Sequence, residues 1–175
     1  KYLEERKDRI KALVITHGHL DHIGGIPYLI GRLGNPPIYT REFGALLIRK
    51  RQEEFPNLPP LDIRIVSADD KAIPLTPDLK VRFFGLTHSI PDSTGIIIET
   101  PYGDIVNTGD VRVENELGVV APKEVEYYKM FKDRNILLFT MDSTGAEQPG
   151  FSPSEKVILK NIDQIVANAP GRMVL

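Results

Sequence analysis

The sequence contains no cysteine. Disulfides therefore cannot hold the fold, and thiolate metal sites and a cysteine nucleophile are excluded. No apolar run is long enough to span a membrane, and no signal-peptide pattern is present. No membrane partner is expected, and a cytoplasmic setting is the default. A basic surplus is also missing. Lys and Arg total 22 against 24 Asp and Glu, a formal net charge of −2, which argues against a broadly basic nucleic-acid surface. It does not exclude nucleic-acid chemistry, because bound metal ions add local positive charge that formal counting omits. Internal repeats and low-complexity tracts are absent. Histidine is scarce, with only four residues, His17, His19, His22 and His88, and three of them share one short stretch.

At 175 residues with 41% hydrophobic and 26% charged content, a packed core is feasible, in one domain or one domain plus the edge of another. The stretch Thr16-His17-Gly18-His19-Leu20-Asp21-His22 follows the apolar run Ala12-Leu13-Val14-Ile15 and precedes Gly24-Gly25. In extended backbone, residues two apart point the same way, so His17 and His19 are expected to bind one metal together. Asp21 and His22 come after the chain has turned and can serve a second ion. Imidazole suits zinc, and carboxylate tolerates zinc or manganese. Gly18 is expected to let the backbone approach a metal, and Gly24 and Gly25 to allow a tight bend. The competing role, a solvated polar loop, would not need an apolar strand and paired glycines on its flanks.

Hydrophobic periodicity predicts strands over 11–16, 38–40, 61–66, 79–86 and 136–141, and a hairpin of 96–100 with 104–108 across Pro101-Tyr102-Gly103. Helices are expected from Ile26 to Leu33, over 42–54, over 123–132, and from a capping box at Ser152-Pro153-Ser154-Glu155 to about residue 168. Phe43, Leu46, Leu47 and Phe55 would form the apolar side of the second helix. Its basic run Arg49-Lys50-Arg51 reads as a solvated face placed well for the helix dipole, with RNA phosphate contact as the minor alternative. The start resembles the end of a polar helix, and Gly171-Arg172-Met173-Val174-Leu175 a strand just beginning, so a piece of a longer protein is expected. Strands alternate with helices, but a hairpin interrupts them. That pattern suits an α/β (mixed α+β) arrangement of two mixed sheets with helices outside.

Three further residues stand at strand ends. His88, in His88-Ser89-Ile90-Pro91-Asp92-Ser93, would give the His17/His19 pair the third protein ligand that catalytic zinc usually takes; a structural or surface role is the alternative. Asp110 closes Asn107-Thr108-Gly109-Asp110, where an ordinary turn aspartate would also fit. Asp142 opens Asp142-Ser143-Thr144, where turn capping is the alternative.

His-x-His-x-Asp-His after a strand resembles the metallo-β-lactamase superfamily of hydrolases. The wider stretch Thr16 to Tyr28, the His88-Ser89-Ile90-Pro91-Asp92-Ser93 string and the segment from Asp142 to Phe151 are similar to the ribonuclease J family, in its β-CASP branch. The resemblance implies an incomplete αββα sandwich, with residues 1–150 as the hydrolase core and 151–175 leading into a β-CASP domain. It implies two divalent ions, zinc favoured and manganese the alternative, that share a hydroxide for hydrolysis of RNA phosphodiesters, internally or from the 5′ end. His17, His19 and His88 would hold the first ion, Asp21 and His22 the second, and Asp110 would bridge them. Asp21 would also orient the nucleophile, and Asp142 would assist the leaving group. The family continues its Thr-Gly-Asp segment with Phe-Lys, where this chain has Val111-Arg112. A further second-metal histidine and the remaining β-CASP motifs have no counterpart after His88, so weak or no activity is expected of this chain by itself. A homo-oligomer is possible for the longer protein. A small-molecule hydrolase of the same superfamily (thioesterase or lactonase) and a non-catalytic fragment are the alternatives.

Overall fold

The computed structural model describes residues 1–68, 71–116 and 118–174. A 3₁₀ turn, Glu4–Arg9, precedes β1 (Leu13–Val14), and two single-turn helices follow, α1 (Leu20–Ile23) and α2 (Ile26–Leu29). The chain continues through β2 (Ile38–Thr40), α3 (Glu42–Gln52), β3 (Ile63–Ile65), β4 (Ile73–Pro74), β5 (Lys80–Gly85), β6 (Thr94–Thr100) and β7 (Gly103–Asn107). It ends with β8 (Asn115–Glu116), β9 (Val119–Val120), α4 (Pro122–Tyr128), β10 (Ile136–Thr140) and α5 (Glu155–Ala167). Residues 171–174 form no strand, and Leu175 lies outside the described residues.

Two sheets carry the fold. The first has the order β1-β2-β3, the second β10-β7-β6-β5-β4. The first is parallel throughout its described strands, not mixed as expected, because two βαβ crossovers in succession build it. The second is antiparallel except where β10 joins β7. Alternation along the strands sends successive residues to opposite faces, and both faces are apolar. Leu13 and Ile15 of the β1 segment, with Ile38 of β2, pack with Ile23, Ile26, Ile30 and Ile48 of the helices outside the first sheet. Val14 and Tyr39 turn the other way, onto Val81, Phe83 and Ile96 between the sheets. Phe84, Ile97 and Val106 face outward again, beneath Met130 and Phe131. Three apolar seams thus separate four layers, which is the αββα sandwich.

Several expected elements are shifted. β1 is shorter than the predicted strand, and its two residues are only half-buried. It is an edge strand of its sheet, and Leu13 and Val14 line an open cleft between the sheets. The single helix expected from Ile26 to Leu33 is instead α2 followed by a 3₁₀ turn. Gly24 and Gly25 adopt ordinary right-handed helical angles, so no special bend is needed there. α3 buries Gly44, Ala45 and Ile48, while Leu46 of the predicted apolar side is 58% exposed. At Gly44 a Cβ would clash with the Thr40 hydroxyl oxygen, and the helix also comes close to the loop after β1. A Cβ on Gly18 would stand 2.6 Å from a Leu47 methyl and 3.4 Å from the Gly44 Cα. Gly18 therefore makes room for a helix. At the end of α3, Lys50 pairs with Glu53 at 2.6 Å and Arg51 with Glu54, as suits a solvated basic face. α5 begins one residue after Ser154, whose side chain accepts from the Val157 amide. The cap is thus Ser154 and not Ser152; the Ser152 carbonyl is taken by Asn115 Nδ2 at 2.9 Å.

Candidate metal centre

β1, β5, β7 and β10 all end at one rim of the sandwich, and each hands a polar side chain to it. His17 and His19 follow β1, and His19, in extended conformation, caps α1, which carries Asp21 and His22. His88 follows β5, Asp110 follows β7 and Asp142 follows β10. Two contacts weld the rim together. Thr94, at the start of β6, donates its amide (3.0 Å) and its hydroxyl (2.9 Å) to the Thr16 carbonyl, two residues past β1 of the first sheet. Opposite it, Gly109 lies so close to Thr16 that a Cβ there would be 2.8 Å from the threonine side chain. Gly109 also has a φ of +61°, and its amide is held by Asn107 Oδ1 at 2.8 Å. Only glycine satisfies both demands without strain.

Six of the seven predicted residues gather into two groups that share one member. His17 Nε2 and His88 Nε2 each lie 3.1 Å from His19 Nδ1. Asp110 Oδ2 stands 3.9 Å from His17 Nε2 and 3.7 Å from His88 Nε2. Its other oxygen, Oδ1, is 3.3 Å from His22 Nε2, which in turn lies 3.6 Å from Asp21 Oδ2. The groups are therefore His17/His19/His88/Asp110 and Asp21/His22/Asp110. A tetrahedral ion with bonds of roughly 2.0–2.1 Å needs ligand atoms roughly 3.3–3.4 Å apart, and the observed separations bracket that spacing. The donor set, imidazole nitrogen with carboxylate oxygen, is also one that zinc accepts.

Electrostatics prepare the first group for a cation. Burial, reinforced by the neighbouring imidazoles, pushes the His17 ring down to about 4, and burial also pushes His88 down. Both rings are neutral at pH 7, as ligands must be. His17 Nδ1 lies 3.0 Å from the Thr16 hydroxyl, so its outer nitrogen is tied while Nε2 faces the group. The His88 segment is anchored from a distance. Asp92, at a φ of 62°, accepts from Arg41 Nη2 at 2.9 Å and from the Phe43 amide at 3.1 Å. It thereby caps α3, whose own cap residue Arg41 supplies no side-chain bond.

Asp142 stands at the same rim without joining either group. It lines a cleft of about 530 Å³ together with His22 and Asp110. Its Oδ1 accepts from the Thr144 amide at 2.8 Å and its Oδ2 from the Val111 amide at 3.4 Å, which together with the nearby His88 hold its carboxyl below the usual range. Asp142 thus caps its turn through the Thr144 amide and shares the cleft with His22 and Asp110. Sequence reasoning missed Thr16, Thr94 and Asp92 as supports. Thr16 and Asp92 lay in stretches already singled out, but their partners Thr94 and Phe43 are 78 and 49 residues away.

A family profile described as Metallo-beta-lactamase superfamily matches residues 1–168. Ribonuclease J of Mycoplasma genitalium is 42% identical over 177 aligned residues, which cover 100% of this chain and 30% of that protein. Ribonuclease J of Thermus thermophilus is 38% identical over 98% of this chain and 31% of its own length. This chain therefore spans about 30% of the curated relatives it matches. Among solved structures, a protein of unknown function from Enterococcus faecalis V583 has a TM-score of 0.67 at 19% identity, over 93% of this chain and 40% of that one. MIM-2 Metallo-Beta-Lactamase has a TM-score of 0.51 at 16% identity, over 93% of this chain and 71% of that one. At such identities the structural likeness speaks for the fold alone. With the profile spanning nearly every residue, the chain belongs to the metallo-beta-lactamase superfamily, and within it is similar to ribonuclease J.

Proposed function

We propose that this chain is the metal-binding core of a metal-dependent ribonuclease. His17, His19 and His88 would hold one divalent ion, Asp21 and His22 a second, and Asp110 would bridge them. The observation that carries this is Asp110, whose two oxygens are turned to different histidine groups, at 3.7 Å from His88 and 3.3 Å from His22. When bound, such ions lower the pKa of water from 15.7 toward ~7 and offset charge on phosphoryl oxygens.

The chain's own residues do the rest. Asp21 is 78% exposed at its side chain, open to an incoming group, and would orient the attacking water. Thr16 would keep the His17 ring in one tautomer. Asp142, kept ionised by the Thr144 and Val111 amides, would serve proton transfer at the leaving group. RNA as substrate rests on the name of the relatives, and 5′-exonucleolytic and endonucleolytic cleavage both fit a rim open to the cleft. Zinc is the ion favoured by the imidazole-rich first group, with manganese the alternative. Residues 1–150 would be the hydrolase core and 151–175 the approach to a β-CASP domain, in a cytoplasmic protein. No helix among the described residues is long and apolar enough to cross a membrane.

Two assays test this together. The full-length protein should release product from a 5′-monophosphorylated RNA in a metal-dependent way, and Asp110→Ala should abolish it along with the bound metal. Metal-dependent cleavage of thioesters or lactones with none of RNA would transfer the site to a small-molecule hydrolase. This chain alone should cleave RNA far more slowly than the full-length protein. Equal turnover would refute that part.

A further inference from the structure

The α4 residue Glu124 has no part in the chemistry above, yet it is fully buried, at 0% exposure. A buried carboxyl group is costly unless it is hydrogen-bonded or paired. Among the described residues no cationic side chain lies within ion-pair distance of it, and its Oε2 has no hydrogen-bond partner. It is tied by the other oxygen: Oε1 accepts from the Thr87 hydroxyl. Thr87 is the residue before His88. Its carbonyl is also taken, by the Arg112 amide at 2.8 Å. Thr87 thus faces α4 while its neighbour His88 faces His19 and Asp110.

We propose that Glu124 is a positioning residue for His88, acting through the Thr87 hydroxyl. The premise is the assignment of His88 as a metal ligand made above. His88 reaches the first group from the second sheet, on a segment without regular structure, so its ring is only as well placed as its backbone. Asp92 anchors the far end of that segment to α3. Glu124 anchors the near end to α4. Without the near anchor, Thr87 would be held by the Arg112 amide alone, and the His88 ring would sample positions away from His19. The carboxyl has the reach for this role because it sits in the first turn of α4, with one oxygen committed to the threonine.

The test is cobalt(II) titration of the metal-free full-length protein, followed by visible absorption, with folding checked by circular dichroism. Glu124→Ala and Thr87→Val should each weaken the first cobalt by about 10–100-fold, the usual cost of losing a supporting hydrogen bond behind a ligand, and should change the absorption band. Glu124→Gln and Thr87→Ser keep an acceptor and a hydroxyl, and should restore most of the affinity and the band. The double variant Glu124→Ala/Thr87→Val should lose no more than either single one, because both break one link. A folded Glu124→Ala protein with unchanged cobalt affinity and spectrum would overturn the proposal. If Glu124→Ala does not fold, Thr87→Val decides in its place. His88→Ala separates the premise from the inference. If it leaves cobalt binding intact, the metal-ligand assignment itself fails. If it alone loses cobalt, only the role of Glu124 is lost.

Discussion

The strands beneath the metal groups and the last strand and helix are similarly apolar, but they end up in opposite environments. Val81, Phe83, Phe84 and Ile97 of β5 and β6 are 0–2% exposed. In β10, Leu137, Leu138 and Phe139 are 62%, 50% and 45% exposed, and in α5 Leu159 and Ile165 are 60% and 61% exposed. The difference is one of position. β5 and β6 have neighbours on both edges and a layer on each face, whereas β10 is an edge strand of its sheet. α5 is tied at its start, by Arg112 and Asn115 to the Pro153 and Ser152 carbonyls and by Lys156 to Glu116, with its apolar residues turned to solvent. Apolar sequence sets what could be buried, and topology sets what is. For the site, His88 hangs on the buried β5 and Asp142 on the exposed β10.

The largest expected effect separates these regions directly. Phe83→Ala should cost about 3–5 kcal/mol, as core aromatic truncations do, whereas Leu159→Ala should stay within about 0.5 kcal/mol. Urea denaturation of this chain measures both, and equal costs would erase the contrast. The next effect is pH. The His17 imidazole has its folded value lowered to about 4 from an ordinary 6.5, so the unfolded chain takes up that proton first. Stability contributed by the neutral ring is whole above the ordinary value and is lost as pH falls through that window. Metal affinity should fall in the same direction, because the ligand must stay neutral. The urea midpoint of metal-free protein, compared between about pH 7 and about pH 5, should drop, and His17→Gln should flatten the slope.

A smaller effect lies at the seam of the two sheets. Gly109→Ala should destabilise by roughly 1–3 kcal/mol, because the new methyl meets Thr16 at a left-handed backbone position. The same substitution should lower metal content, since Asp110 follows directly. The smallest is Ser154→Ala, which removes the Ser154 side-chain cap of α5 but leaves Glu114 on the Glu155 amide, and should cost about 1 kcal/mol. Loss of helical circular dichroism reads it, with no change in metal content, since α5 carries no ligand.

Much of the candidate site was legible because four of its residues are local in sequence. His17 and His19 share a face by strand spacing, and a turn into α1 separates Asp21 and His22 from them. His88, Asp110 and Asp142 were legible as polar residues at the ends of apolar strands, which is where the sheets deliver them. The supports were not legible, because each depends on a partner far along the chain. Asp92 reaches Phe43, Thr94 reaches Thr16, and Glu124 reaches Thr87, at separations of 49, 78 and 37 residues. The inward face of α3 was misjudged for a similar reason. Residue hydrophobicity favoured Leu46, but α3 turns Gly44, Ala45 and Ile48 inward, and at Gly44 a side chain would meet the Thr40 hydroxyl. The continuous apolar run Ala12-Leu13-Val14-Ile15 told of a strand, and not that its edge lies open to a cleft.

The most direct test is elemental analysis of the purified full-length protein, in parallel with Asp110→Ala and His88→Ala. The account predicts two divalent ions per chain, a fall in both with Asp110→Ala, and a fall chiefly in one with His88→Ala. Two ions that persist in both variants, or no metal after reconstitution of the intact protein, would contradict it.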